Sequence, residues 1–555
     1  MSLEINYIDA PEGAQERMEV SGDSVNNLSD MSLLTFGTSD IPWATLEPGV
    51  WKLDGTMRIM PDDTQVGFWS EERSGTDGYF ASPPKITISF PVPYGSTGFT
   101  FTFSPSTNQY CPEVHARWYS GQTLLIDKDY HPAGPVWVME ETVSSFDRIE
   151  LTLLKTNVPG QFAKIQRIEI GRTVLFSAKE ILNARLVNEI DPTLCALTVD
   201  TLTFEMQDSQ NRSFLPQENQ RVELIHDGKL RSVQYIKAST RKGKANYKIE
   251  CQSAIGLLAG DYLGGMYKDK PVADLVAEIL GEWEFEMDSV FSEKLINGYL
   301  PVCSQREAIQ QIAFAIGAIV TTQESSKIRF IPVPKMISSR FRDDDILVGG
   351  SVKSAPRYAR VTLSAHSYTE SDDLERLIDE EEIVGTDVLY TFPSPHFDYE
   401  ITGGTITESD VNWVKITANG LVSLSAKAYT HNIRAFSRRN PEATAKEQGN
   451  VIAINKATLI SVSNAQEAVD RLYSAVQRRQ TVNQDVIVTT QKAGQIASSM
   501  TPWDTITTGF ITSMDSTITQ NGHIATISIQ GVEVTLESVW LHSGELYSGD
   551  SEVLY

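Results

Sequence analysis

Cysteine is scarce: 555 residues contain four, Cys111, Cys195, Cys251 and Cys303, far apart and without a C-x-x-C pair. That spacing excludes a disulfide framework or a zinc site and predicts buried thiols in a reducing cytosol. Long apolar runs are missing too. The longest, residues 312–320, is far too short to span a bilayer, so no transmembrane segment is expected. The start, Met1-Ser2-Leu3-Glu4, lacks the basic-then-apolar pattern of a secretory signal. Synthesis in the cytoplasm is the expectation, with any export as part of a particle. Basic side chains are outnumbered, 47 against 72 acidic, for a formal charge of −25. This disfavours generic or sequence-specific nucleic-acid binding and adhesion to anionic membranes, both of which need clustered Lys and Arg.

Catalytic signatures are equally thin. There is no G-x-x-x-x-G-K-[ST], no G-x-S-x-G and no H-E-x-x-H. The eight histidines are scattered, most of them beside turn residues. Acidic pairs at glycosidase separation are expected by chance in so acidic a chain, so spacing alone carries nothing. Asp343-Asp344-Asp345 lacks the spaced oxygen ligands and glycine of a calcium loop and reads as a solvated turn. No cofactor, no metal and no enzymatic activity are expected.

What the chain has is strand periodicity. Its length allows about four domains of ~100–200 residues. Residues 1–45 are polar and acidic and read as an N-terminal arm. Residues 46–171 hold short strands broken by Pro, Gly and Asp, the pattern of a β-sandwich. From residue 172 to 265, alternation at Leu202/Phe204/Met206, Val222/Leu224, Val233/Tyr235 and Tyr247/Ile249/Cys251 predicts a first small β-barrel, with a phase slip at Asp200-Thr201.

The period then turns helical over 266–335. Val272, Leu275, Val276, Ile279 and Leu280 make one stripe after Pro271. Ser304 with Glu307 reads as a capping box, Gly317 as the stop, and residues 318–322 with 327–331 as a hairpin. Residues 336–450 read as a β domain in which the acidic stretch 372–382 is a short exposed helix or loop. Residues 451–535 read as a helix from Asn464 leading into a second barrel, with a hairpin turn at Asn521-Gly522. Residues 536–555 form a tail carrying Trp540, Tyr547 and Tyr555. The fold class is thus mainly β and multidomain with minor α+β: a sandwich, two small barrels related in shape, and intervening α/β and β domains.

The order of these elements, with "LNARLVNEIDPTL", "LTVDTLTFEM" and "NGYLPVCSQREAIQQIAFAIGAIV", resembles the central hub proteins of phage baseplates and tail tips and of phage-derived injection machines, over roughly residues 172–540. The segment "FDRIELTLLKTNVPGQFAKIQRIEIG" resembles the closing strands of galactose-binding-like jelly rolls. The hub resemblance implies a virion structural protein and symmetry adaptor: a homotrimer whose two barrels per chain meet a hexameric tail tube or distal tail protein, with a spike or tail-fibre protein below. The jelly-roll resemblance implies a module in which Trp69, Tyr79, Tyr110 and Tyr130 stack on a host surface glycan. Trp540, Tyr547 and Tyr555 are the candidate anchors for a docked partner. The competing reading is a multidomain carbohydrate-binding adhesin or receptor-binding protein.

Overall fold

Strand alternation after Arg172 produces the expected strands. Thr201–Gln207, Arg221–His226, Lys229–Lys242 and Asn246–Gln252 pair antiparallel and turn Leu202, Phe204, Met206, Val222, Leu224 and Ile249 into one core. The structure is a computed structural model. It describes residues 3–534 apart from 11–13, 16, 36–40, 52–54, 56, 60–65, 209–215, 217, 244, 342, 348, 502–504 and 520, together with 539–542 and 545–548. Strands account for 57% and helices for 11%, so the protein is mainly β with several sheets and a minor helical part.

The two barrels do not close. Ile181–Glu189 pairs on one edge with Thr201–Gln207 and on the other with Ile506–Thr519 of the second unit, setting Ala184 opposite Ile518. Arg185 clasps Asp515 across this seam, with Nε 2.7 Å from Oδ1. Hydrogen bonds that would close each unit on itself run between the units instead, and the result is one 13-stranded sheet.

The N-terminal segment is not an arm. Leu3–Asp9 is a strand between Arg172–Ser177 and Arg221–His226, with Ile5 opposite both Phe176 and Leu224. Its last residue, Asp9, lies opposite Arg172, so residues 10–171 are inserted at the tip of a hairpin. Ala14, Met18 and Leu34 already belong to the sandwich core, with Phe99, Phe101, Trp118 and Phe146. Strand Glu19–Gly22 pairs with Lys85–Thr102 in the six-stranded sheet. At the junction, Arg167 and Glu169 of the insertion meet Arg221 and Glu223 of the large sheet: Arg167 lies 2.9 Å from Glu169, and Arg221 lies 2.6 Å from Glu223. Burial raises the Glu169 pKa above the usual carboxylate range.

Between the units, helix Val272–Leu280 buries Val272, Leu275, Val276, Ile279 and Leu280, with Pro271 as its N-cap. Helix Gln305–Ile316 starts on the Ser304–Glu307 capping box and stops at Gly317, whose φ of 80° is a left-handed turn. A Cβ at Gly317 would stand 2.7 Å from Arg471 Nη1. That space is needed because Arg471 donates to the Phe314 carbonyl, capping the negative end of the helix. The helix expected from Asn464 runs Ala465–Gln477 with Asn464 as its N-cap; of the predicted stripe, Val469, Leu472 and Val476 are buried and Tyr473 is half-buried.

The acidic stretch is neither helix nor loop. It lies within strand Arg360–Thr391, paired with Trp413–Arg439, which in turn pairs with His396–Asp410. Ile378 and Ile383 turn inward to join Val414, Ile416, Val422 and Leu424 while the carboxylates face water. Pairing along the partner strand overrides the local preference. Past the Thr391–Trp413 pair the end of this three-stranded ribbon is tied by Phe392 N donating to Asn412 O and His396 N to Val411 O. Gly403, at the register shift between Thr402 and Gly404, lets the two backbones approach closely, since a Cβ there would sit 2.0 Å from Leu421 O.

The expected limits of the 336–450 domain are crossed at both ends. Ile337–Phe341 and Ser351–Ser354 join the large sheet, whereas Val451–Ile454 joins the ribbon. Of the cysteines, Cys111 and Cys251 are buried, Cys303 is half-buried, and Cys195 is exposed, contrary to expectation.

Candidate functional site

The four aromatics expected to stack on a sugar do not form a platform. Trp69 is buried in a small cluster with Trp43 and Val66. Its strand, Phe68–Trp69, pairs with Lys164–Ile165, and Lys164 Nζ lies 4.3 Å from the ring centroid. Lys164 is itself buried and bonded to the fully buried Glu47 at 2.5 Å. Trp69 therefore walls an internal ion pair. Burial pulls the Lys164 pKa down against the opposing pull of Glu47.

Tyr130 is also buried, its hydroxyl donating to Glu141 at 2.8 Å and its ring packed against Trp137. Burial first, then Glu141, raises its pKa. Tyr110 is half-buried against the sandwich core, its backbone N–H donating to Asn157 Oδ1 at 3.2 Å. Tyr79 alone is well exposed, at 40%, but Lys155 covers its ring at 4.4 Å and its hydroxyl donates to Glu113 at 2.9 Å. That hydrogen bond, helped by Lys155, holds the Glu113 carboxyl below its usual range. Alternation along a strand marks a face but not its surroundings, so sequence could not separate these four.

The exposed aromatic of this module is one the pattern passed over. Trp51 is 57% exposed, in a segment with exposed Leu46 and Ile59. Arg73 tethers that segment by donating to the Leu46 carbonyl at 3.1 Å. Three apolar residues among loop residues were the only sequence signal.

In the C-terminal tail, Val539–His542 and Glu545–Ser548 form an antiparallel hairpin with Trp540 directly opposite Tyr547. Tyr555 lies outside the described residues. Among the described residues, no group of three or more His, Cys, Asp or Glu is placed to hold a metal ion, and no helix is long and apolar enough to cross a membrane.

Two histidine pairs appear only in three dimensions. His366 and His431 stack at 5.1 Å, linked Nδ1 to Nε2 at 2.9 Å, and Tyr368 stacks on His431 at 4.5 Å. His226 and His523, from the two halves of the large sheet, meet edge to face at 6.1 Å, both buried.

No family model and no curated protein matches the chain. Among solved structures it is similar to the 43 kDa tail protein of prophage MuSo2 from Shewanella oneidensis, at 9% identity and a TM-score of 0.39, over 64% of this chain and 94% of that one. It is similar to the tail protein from Neisseria meningitidis MC58, at 10% identity and a TM-score of 0.39, over 65% and 94%. It is also similar to the family 32 CBM from C. perfringens NanJ in complex with galactose, at 13% identity and a TM-score of 0.19, over 30% and 99%.

Proposed function

We propose that the chain is a non-enzymatic structural subunit of a phage or phage-like tail tip, the hub that joins a six-fold tail tube to a spike or fibre. The observation that carries this reading is the pairing of Ile181–Glu189 with Ile506–Thr519, which welds two β units of one chain edge to edge. Two welded units per chain give three copies six positions around an axis, the number a six-fold tube presents in the hub resemblance. A cyclic trimer closes through heterologous contacts. The inserted sandwich lies at the outer rim, and the surplus of acid, −25 overall, keeps passing DNA from adhering to the conduit.

Electron microscopy of the protein and of particles carrying it tests the reading. Three copies per ring are expected. A ring of six copies of this chain, each filling one position, overturns it. Release of reducing ends from peptidoglycan by the purified protein, lost on changing one carboxylate, overturns the non-enzymatic part.

The exposure of Trp51 beside Arg73-tethered Leu46 favours one second reading, a glycan-binding role for the sandwich. It is tested on a glycan array, where Trp51→Ala must abolish any signal the intact chain gives.

A further inference from the structure

Among the described residues the ribbon has unpaired edge stretches of opposite charge: a basic one on Trp413–Arg439, beside the acidic outer edge of His396–Asp410, and an acidic one on Arg360–Thr391. Beyond Ala428, strand Trp413–Arg439 has a partner on one side only: residues 429–439 pair with residues 360–370 and, among the described residues, with no strand on the other side. Residues 430–439 are exposed apart from a half-buried Phe436. They contain Arg434, Arg438 and Arg439 and no acidic residue. Arg438 is engaged by Asp470 at 2.8 Å, which leaves Arg434 and Arg439 as the outward charges. Arg439 lies directly opposite Arg360 across the pair, a like-charge arrangement that costs stability unless an anion stands nearby.

The other edge is the reverse in sign. Strand Arg360–Thr391 is covered on its second side over residues 360–363 by Val451–Ile454, and at His366 by a backbone bond to Ile460 O. Past that point the same edge carries Glu370, Asp372, Asp373, Glu375, Asp379, Glu380, Glu381 and Glu382, all exposed, against the single base Arg376. Both stretches also present bare aliphatic side chains, Ile433 on the basic side and Leu374 on the acidic side, each 60% exposed, with Val384 and Leu389 further along the acidic strand.

We infer that a second copy of this chain docks here, the acidic edge around Leu374 of one copy lying against the basic edge around Ile433 of the next. Arginines on an edge guard it against indiscriminate strand pairing; the partner they leave is an acidic one, and the chain carries that surface itself. The two edges lie on opposite sides of the ribbon and at different heights along it, so neither can satisfy the other within one chain. A two-fold axis would set like edge against like edge. Head-to-tail contact is the arrangement that matches opposite charge, and such contacts make a ring where the rotation between copies closes. The inference rests on the ring reading above and adds the contact that closes it.

Sedimentation velocity of the full chain tests it, at low and high salt, with three variants: Arg434→Glu with Arg439→Glu, Asp372→Lys with Asp373→Lys, and all four together. All four positions are exposed, and matching circular dichroism and melting curves check that each variant folds. The native chain is expected to self-associate, and more weakly as salt screens the charges. Each two-site reversal should weaken association by about ten-fold or more, and the four-site variant should regain it. Association unchanged by every reversal overturns the edge contact and leaves the ring reading standing. So does a particle image in which three copies form a ring with these edges apart. Absence of association in the native chain at any salt also overturns the contact, while the ring reading is then judged by the particle image alone.

Discussion

Glu47 receives four donors: Gln109 Nε2 at 2.9 Å and Phe162 N at 2.8 Å on one oxygen, and Thr45 Oγ1 and Lys164 Nζ, each at 2.5 Å, on the other. Removing one member of a buried pair leaves the other as an unpaired charge, at a cost of about 3–5 kcal/mol. Glu47→Ala should sit in that range, since among the described residues it leaves Lys164 with Gln109 alone as a hydrogen-bond acceptor. Lys164→Met should cost less, because three neutral donors still hold Glu47. Denaturant unfolding followed by tryptophan fluorescence ranks the two. The His226–His523 pair contributes its own response to acid. Burial, with Arg231 and His226 adding to it, pushes His523 down to about 4, and burial lowers His226 as well. An unfolded histidine takes up its proton near 6.5. Stability from the neutral pair is therefore complete above about pH 6.5 and is lost as pH falls toward 4. His523→Phe should flatten that part of the stability curve relative to the native chain, read as unfolding midpoint against pH.

At the scale of elements, the register of Leu3–Asp9 decides which truncations fold. A chain starting at Thr173 loses a strand from inside the large sheet, leaving Arg221–His226 and Arg172–Ser177 without their shared partner. It should be insoluble. Replacing residues 10–171 by Asn-Gly, a turn that suits a two-residue hairpin, should instead give a folded core, because Asp9 and Arg172 already face each other. Soluble yield and circular dichroism of the two proteins separate these outcomes. Asn412 is a second such joint. Its Nδ2 donates to Leu300 O at 2.8 Å and Leu263 O at 3.0 Å, pinning the ribbon to the helical region. Asn412→Ala leaves both carbonyls without that donor and should destabilise by about 1–3 kcal/mol, measured by chemical denaturation.

For the whole molecule, the tail hairpin is an element that forms a sheet of its own among the described residues. Trp540 and Tyr547 are register partners on two four-residue strands that, among the described residues, pair only with each other. A hairpin of that size is marginal by itself in water, so a partner surface is what would hold it. Under the proposed hub role, removing residues 541–555 should leave trimer formation intact and weaken attachment of a spike or fibre protein, counted as spike occupancy in particle images. Full occupancy and normal infection would show that the tail is not a docking element.

Local chemistry made much of this molecule legible. The Ser304–Glu307 box, the Gly317 stop and the stripe from Val272 to Leu280 are set by neighbours within a few residues, and each stands where the sequence places it. The hairpin expected at Asn521-Gly522 also forms, but with Gly522 already in the returning strand opposite Thr519, so the turn falls one residue earlier. Alternation likewise determined the mainly β class. Tertiary structure alone decided which strands meet. Nothing near Leu3 encodes a place between residues 172–177 and 221–226, and nothing near Ile181 tells it to pair with Ile506–Thr519 rather than close its own barrel. The acidic segment became a strand because a partner strand gave Ile378 a core to enter. Trp69 and Tyr130 became interior because Lys164 and Glu141, distant or on another strand, took their polar contacts. Pairing across such separations depends on the register and burial of the assembled chain, which no window of sequence contains.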